Sequence, residues 1–118
     1  MVEKRGCLLS YRPDIKVVDC TLRDGGLVNS FFFDDEFVKD LYLANIEAGV
    51  DYMEFGYKAS KKIFDVNKFG KWKFCDESDI REIVGNNDSN LKISVMADVG
   101  RTDMSDFLPK SESVIDLV

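Results

Sequence analysis

The sequence predicts an α/β fold built on a parallel sheet, and three observations predict it. Short stretches rich in β-formers alternate with helical stretches in the order strand, helix, strand, helix, strand. Helix-start residues stand before the helical stretches, and Gly49 and Gly85 stand after them as stop signals. Nine phenylalanines within a composition that is 45% hydrophobic are enough to fill a core, which excludes a disordered chain.

Taken in order, Arg12-Pro13-Asp14 punctuates the chain as a turn, and Lys16–Cys20 follows as the first strand. Asp24-Gly25-Gly26 then reads as a loop. Asp34 is placed to cap a helix, with Asp35 and Glu36 in its first turn and Phe33 positioned to staple against Val38. Phe37, Leu41, Ala44 and Ala48 keep helical spacing along that helix. Val50–Gly56 is the second strand. Tyr57–Phe74 has no clear period and reads as a long loop carrying six lysines against the single Asp65. Such a basic segment can attract a carboxylate or phosphate, or can simply be a solvated loop.

Asp76 or Ser78 begins the next helix, with Ile80, Ile83 and Val84 on one face. Leu91–Ala97 is the third strand, Met104–Pro109 a short helical turn, and Ser113–Val118 a fourth strand. Two architectures carry this alternation: a doubly wound open sheet and a (β/α)₈ barrel. The first strand is not followed by Gly-x-Gly-x-x-Gly, which counts against a nucleotide-binding open sheet. In a barrel, the 118 residues would form one partial domain of about four strands, with the helices on one side of the sheet.

Composition removes several functions. The formal net charge of -6 argues against nucleic-acid or anionic-membrane binding. No apolar run reaches the roughly 20 residues of a membrane span, and Cys7-Leu8-Leu9 is too short for a signal-peptide core. Three widely spaced cysteines give neither a disulfide framework nor a zinc pattern, so a reducing, cytoplasmic setting is expected. The sequence contains no histidine, which removes Ser-His-Asp and Cys-His catalysis together.

The informative stretch is Val18-Asp19-Cys20-Thr21-Leu22-Arg23-Asp24-Gly25-Gly26. It resembles the first-strand signature Asp-x-Thr-Leu-Arg-Asp/Glu-Gly of the pyruvate-carboxyltransferase-like barrel superfamily. That superfamily includes 3-hydroxy-3-methylglutaryl-CoA lyase, isopropylmalate and homocitrate synthases, and 4-hydroxy-2-oxovalerate aldolase. Ala48–Gly56 is similar to the superfamily's Ala-Gly-Val-Asp-x-Ile-Glu-Val-Gly, and Lys92–Gly100 more loosely to its third strand.

The resemblance implies the first half of a TIM (β/α)₈ barrel and a metal-dependent aldolase or lyase. Such an enzyme makes or breaks a carbon–carbon bond next to a 2-oxo acid through an enolate. It implies Asp24 as a ligand of a divalent cation, Mg²⁺ or Mn²⁺. Arg23 would steady the enolate oxygen, and Glu54 would pair with Arg23 and orient it. Asn29, Lys58 and Asp98 are further candidates for holding a small anionic substrate. The superfamily draws its other metal ligands from a His-x-His on a late strand. Leu27 stands near the position where the oxovalerate aldolases carry a histidine, so their proton-transfer scheme does not transfer. The expected partner is the remainder of the same barrel or a further copy of the chain. The competing expectation is a catalytically incomplete half-barrel that serves as an interaction module.

Overall fold

The structure is a computed structural model that describes residues 12–118. Cys7-Leu8-Leu9 lies outside the described residues. Strand β1 (Val18–Asp19) is followed by helices α1 (Thr21–Asn29) and α2 (Asp35–Ala48), strand β2 (Tyr52–Tyr57), helix α3 (Glu77–Val84) and strand β3 (Lys92–Met96). Short 3-10 turns stand at Lys71–Lys73 and Met104–Asp106.

The three strands form one parallel sheet in the order β1-β2-β3. Beyond β3, Leu117 bridges Ser94 in parallel, so the expected fourth strand is reduced to one pairing. The chain is therefore α/β, with a sequentially ordered parallel sheet and intervening helices.

Strand alternation decides what each face meets. Met53 and Phe55 of β2 and Ile93 and Val95 of β3 enter one buried cluster. That cluster also holds Val38 and Tyr42 of α2 and Ile80, Ile83 and Val84 of α3, so both helices cover the same face. Asp19 belongs to this side as well, because its carboxylate accepts from the Asn45 amide of α2 at 3.0 Å. The register aligns Val18 with Tyr52, and Glu54 with Ser94, on the opposite face. That face leaves Val18 43% and Leu117 42% exposed.

Several local expectations are corrected. Asp24-Gly25-Gly26 is not a loop but the middle of α1. Two glycines cost a helix about 1 kcal/mol each relative to alanine. Burial of Leu22, and a close approach that only glycine allows at position 26, offset that cost. A Cβ on Gly26 would lie 2.0 Å from Cδ1 of Phe31.

Helix α2 starts after Asp34 and stops at Gly49 as expected, but Asp34 makes no side-chain capping bond. Its buried stripe is Val38, Tyr42 and Asn45, rotated from the 37/41/44/48 stripe, and Phe37 is exposed. Phe33 stacks on Phe37, with centroids 5.7 Å apart, and packs against the core cluster that holds Val38.

The segment after β2 is a solvated loop only in part, with residues 61–68 largely exposed. It contains the turn at Lys71–Lys73, whose Trp72 is fully buried against Phe55. Gly56 makes this possible, since a Cβ there would lie 1.9 Å from the Trp72 carbonyl oxygen.

Candidate functional site

In a parallel sheet with short strand-to-helix connections, side chains converge at the C-terminal strand ends. Here α1 begins two residues after β1 and packs across the end of β2. Leu22 turns into the core, and its neighbour Arg23 reaches the other way, toward Glu54. Arg23 Nε donates to Glu54 Oε1 at 2.5 Å. The two side chains are 23% and 11% exposed, so the pair is largely withdrawn from water. The Glu54 carboxylate raises the Arg23 pKa above its usual value; burial opposes this, and the Cys20 side chain adds to it. A charge-assisted bond of this kind fixes the plane of the guanidinium and leaves its other N–H donors to be aimed elsewhere.

Asp24 lies beside this pair but outside it. Its carboxylate is 3.8 Å from Arg23 Nη1, and the side chain is 75% exposed in the first turn of α1. That leaves an anionic oxygen donor facing solvent next to a fixed cation. It is a single donor: among the described residues, no three His, Cys, Asp or Glu side chains converge on one point.

The remaining candidates are placed by the structure as follows. Asn29 turns its side chain back on the chain, accepting from the Phe31 N–H at 3.1 Å and donating to the Phe32 carbonyl at 3.0 Å. It closes the end of α1, and its amide is engaged there. Lys58 is 3% exposed and donates from Nζ to the Cys75 carbonyl at 2.9 Å, so it points into the core instead of toward a ligand. Asp98 binds Arg101 Nη1 at 2.8 Å, and its own N–H donates to the Thr102 hydroxyl. The structure brings Arg23, Asp24 and Glu54 together and leaves Asn29, Lys58 and Asp98 in separate local networks.

Three of the six lysines of the basic segment pair with carboxylates. Lys61 pairs with Asp76 at 2.5 Å, Lys62 with Asp103 at 2.9 Å, and Lys71 with Asp35 at 3.0 Å. Those three charges meet carboxylates, Lys58 donates to a carbonyl, and Lys68 is exposed. Lys73 is held differently. Its Nζ stands 4.3 Å from the ring centroid of Phe64, 4.8 Å from Tyr57, and 5.3 Å from both Phe31 and Phe69. Nothing in the sequence marked this lysine, because its cage is drawn from three separate segments.

Cys20 and Cys75 are free thiols, and burial pushes the Cys75 pKa far up, so that thiol is not a nucleophile. Among the described residues, no helix is long and apolar enough to cross a membrane. Comparison with family models, curated proteins and solved structures finds no match, so the resemblance rests on the motif residues themselves.

Proposed function

We propose that this chain forms the first half of a (β/α)₈ barrel that makes or breaks a carbon–carbon bond beside a 2-oxo acid through an enolate. The observation that carries this reading is the Arg23–Glu54 pair at the end of the parallel sheet. An enolate concentrates charge on one oxygen. A permanently charged guanidinium, held in place by a buried carboxylate, is a preorganised donor for it. Glu54 is the positioning residue, since it holds Arg23 and is 9% exposed, and Arg23 would touch the substrate.

The reading includes a divalent cation, Mg²⁺ or Mn²⁺, with Asp24 supplying one oxygen and the rest of the barrel the others. Such an ion would draw charge from the substrate's oxygens. What the chain itself does is narrower. Arg23 binds and orients the anionic oxygen, Glu54 fixes Arg23, and α1 covers the end of β2. The partner in this reading is the remainder of the barrel, which would cover the face holding Val18 and Leu117. A reducing, cytoplasmic setting is part of the same reading, in keeping with the free thiols of Cys20 and Cys75.

A specific observation favours the second reading, an interaction module without catalysis. Among the described residues Asp24 is joined by no cluster of further ligands, while Val18 and Leu117 leave an apolar face exposed. Calorimetric titration of the complete barrel with Mn²⁺ separates the two. The catalytic reading expects saturable binding that Asp24→Asn weakens, and the module reading expects none.

A further inference from the structure

Helix α1 presents a strip that is polar in one turn and apolar in the next. Successive residues of a helix are turned by about 100°. Leu27 therefore falls between Arg23 and Asp24 around the helix and one turn beyond them, and Val28 falls one turn beyond Asp24. The buried residues of α1, Leu22 and Gly26, lie on the other side. Leu27 is 62% exposed and Val28 91%, so neither is part of the core. Residues 25–28 carry no charge.

A lone apolar side chain on a surface needs no explanation. Here two neighbours form a continuous apolar step directly beside a guanidinium that Glu54 holds in place. Glu54 takes the Nε donor of Arg23, and the guanidinium keeps further N–H donors for an anionic oxygen. Side chains four apart on a helix stand about 5–6 Å from each other. Pyruvate held at Arg23 ends in a methyl group and is too short to lie along that step. A 2-oxo acid with a longer aliphatic chain reaches it.

We propose that Leu27 and Val28 are the specificity-determining residues of this site and select a 2-oxo acid whose aliphatic chain extends well past the oxo carbon. The 2-oxo acid head rests on the function proposed above, and the chain rests on the exposure of Leu27 and Val28. Charge complementarity fixes the direction of the ligand. Its anionic head meets Arg23 in the first turn of α1, and its chain runs along the second turn, where it leaves water together with the two side chains. A second carboxylate at the far end of the chain would meet only uncharged residues there, so dicarboxylates are disfavoured.

The test is titration of the isotope-labelled full chain with pyruvate and with 2-oxohexanoate, read by NMR at the Arg23 Nε–H and at the Leu27 and Val28 methyl groups. Both ligands should move the Arg23 signal, and 2-oxohexanoate alone should move the methyl groups. It should bind about tenfold more tightly, the scale of a few partly covered methylenes at about fourfold for each one fully buried. Serine at both 27 and 28 removes no core contact and should bring the ratio of the two dissociation constants toward parity. An unchanged ratio in that variant, or equal affinity with still methyl signals in the wild type, would overturn the proposal. So would hexanoate moving the methyl groups as strongly without moving Arg23, because an apolar surface alone would then be the binder. Methyl shifts that follow protein concentration without ligand would place a second copy on the strip and overturn it as well. The two layers separate cleanly: if neither oxo acid moves Arg23, the reading of the head group falls and the proposal with it. If pyruvate moves Arg23 and 2-oxohexanoate binds no more tightly, the specificity assignment alone falls.

Discussion

Arg23 Nε donates to Glu54 Oε1 at 2.5 Å, a bond between residues 31 apart in sequence that ties α1 to the end of β2. Asp24, the next residue, takes no part in that bond and is left 75% exposed. Adjacent residues of one helical turn thus have different jobs open to them: one is locked to the sheet, and the other is free to meet solvent or an ion.

If the proposed barrel enzyme is assembled, substitution in it should separate these jobs. Arg23→Lys keeps the charge but loses the fork, and kcat should fall about 10²–10³-fold, the scale of one lost oxyanion donor. Metal affinity should stay nearly unchanged. Glu54→Gln should give a smaller loss of the same kind, because it loosens the guanidinium without removing it. Asp24→Asn should weaken Mn²⁺ binding, with part of the rate restored by excess metal. Turnover assays beside calorimetry check all three, and wild-type behaviour in every variant would refute the assignment.

Much of the strand order was legible because each strand is a compact run of β-formers: Lys92–Met96, for example, lies wholly inside the expected Leu91–Ala97. Helix α3 was legible for a similar reason, since Ile80, Ile83 and Val84 share one face. What escaped were features set by tertiary contact. Gly25 and Gly26 read as a turn because their helical role depends on Phe31, which follows them by several residues and packs back. The rotation of the α2 stripe depends on Tyr42 and Asn45. Both bury a polar side chain with a partner, Tyr42 on Asn87 and Asn45 on Asp19. The motif gave Arg23, Asp24 and Glu54, whereas the Lys73 cage leaves no local pattern.

Gly26→Ala tests the close approach directly. Alanine would favour the helix by about 1 kcal/mol. Its Cβ would meet the Phe31 ring at 2.0 Å, so the net outcome should be a clear loss of stability. In a Phe31→Leu background the same change should cost less or become favourable. A double-mutant cycle by chemical denaturation measures this, and simple additivity would show that the contact does not decide the residue.

Lys58→Met distinguishes a buried structural amine from a substrate ligand. Removing the amine leaves the Cys75 carbonyl without its 2.9 Å donor, which costs about 1–3 kcal/mol. It also removes a buried ammonium that has no carboxylate partner among the described residues, which offsets the loss. Stability should stay within about 1 kcal/mol of wild type, and KM for an anionic substrate should not change. A tenfold rise in KM with stability intact would return Lys58 to the binding site.

Two carboxyl groups should act on stability with opposite sign as pH changes. Asp103 is held well below the usual carboxylate range by the Ser105 hydroxyl, then by Lys62 and the Ser105 N–H. Its contribution is present above the unfolded pKa of 3.8 and is lost as pH falls toward the folded value. Asp79 is raised, first by burial, so its ionisation opposes folding at neutral pH and the penalty is relieved on acidification. Asp103→Asn should therefore lower Tm at neutral pH, and Asp79→Asn should raise it. The Asp103 difference should shrink as the pH drops below 3.8, whereas the Asp79 difference should shrink above that, as the pH falls through its raised folded value toward 3.8. Thermal melts across a pH series check the signs.

The most direct test of the proposed enolate chemistry is proton exchange at C3 of pyruvate, followed by NMR in D₂O with the complete barrel and Mg²⁺ or Mn²⁺. The expected result is exchange that requires the metal and falls about 10²–10³-fold in Arg23→Lys, the size of one oxyanion donor. Exchange at the rate of buffer plus metal, in wild type and Arg23→Lys alike, would contradict the assignment of Arg23 and Glu54 to enolate stabilisation.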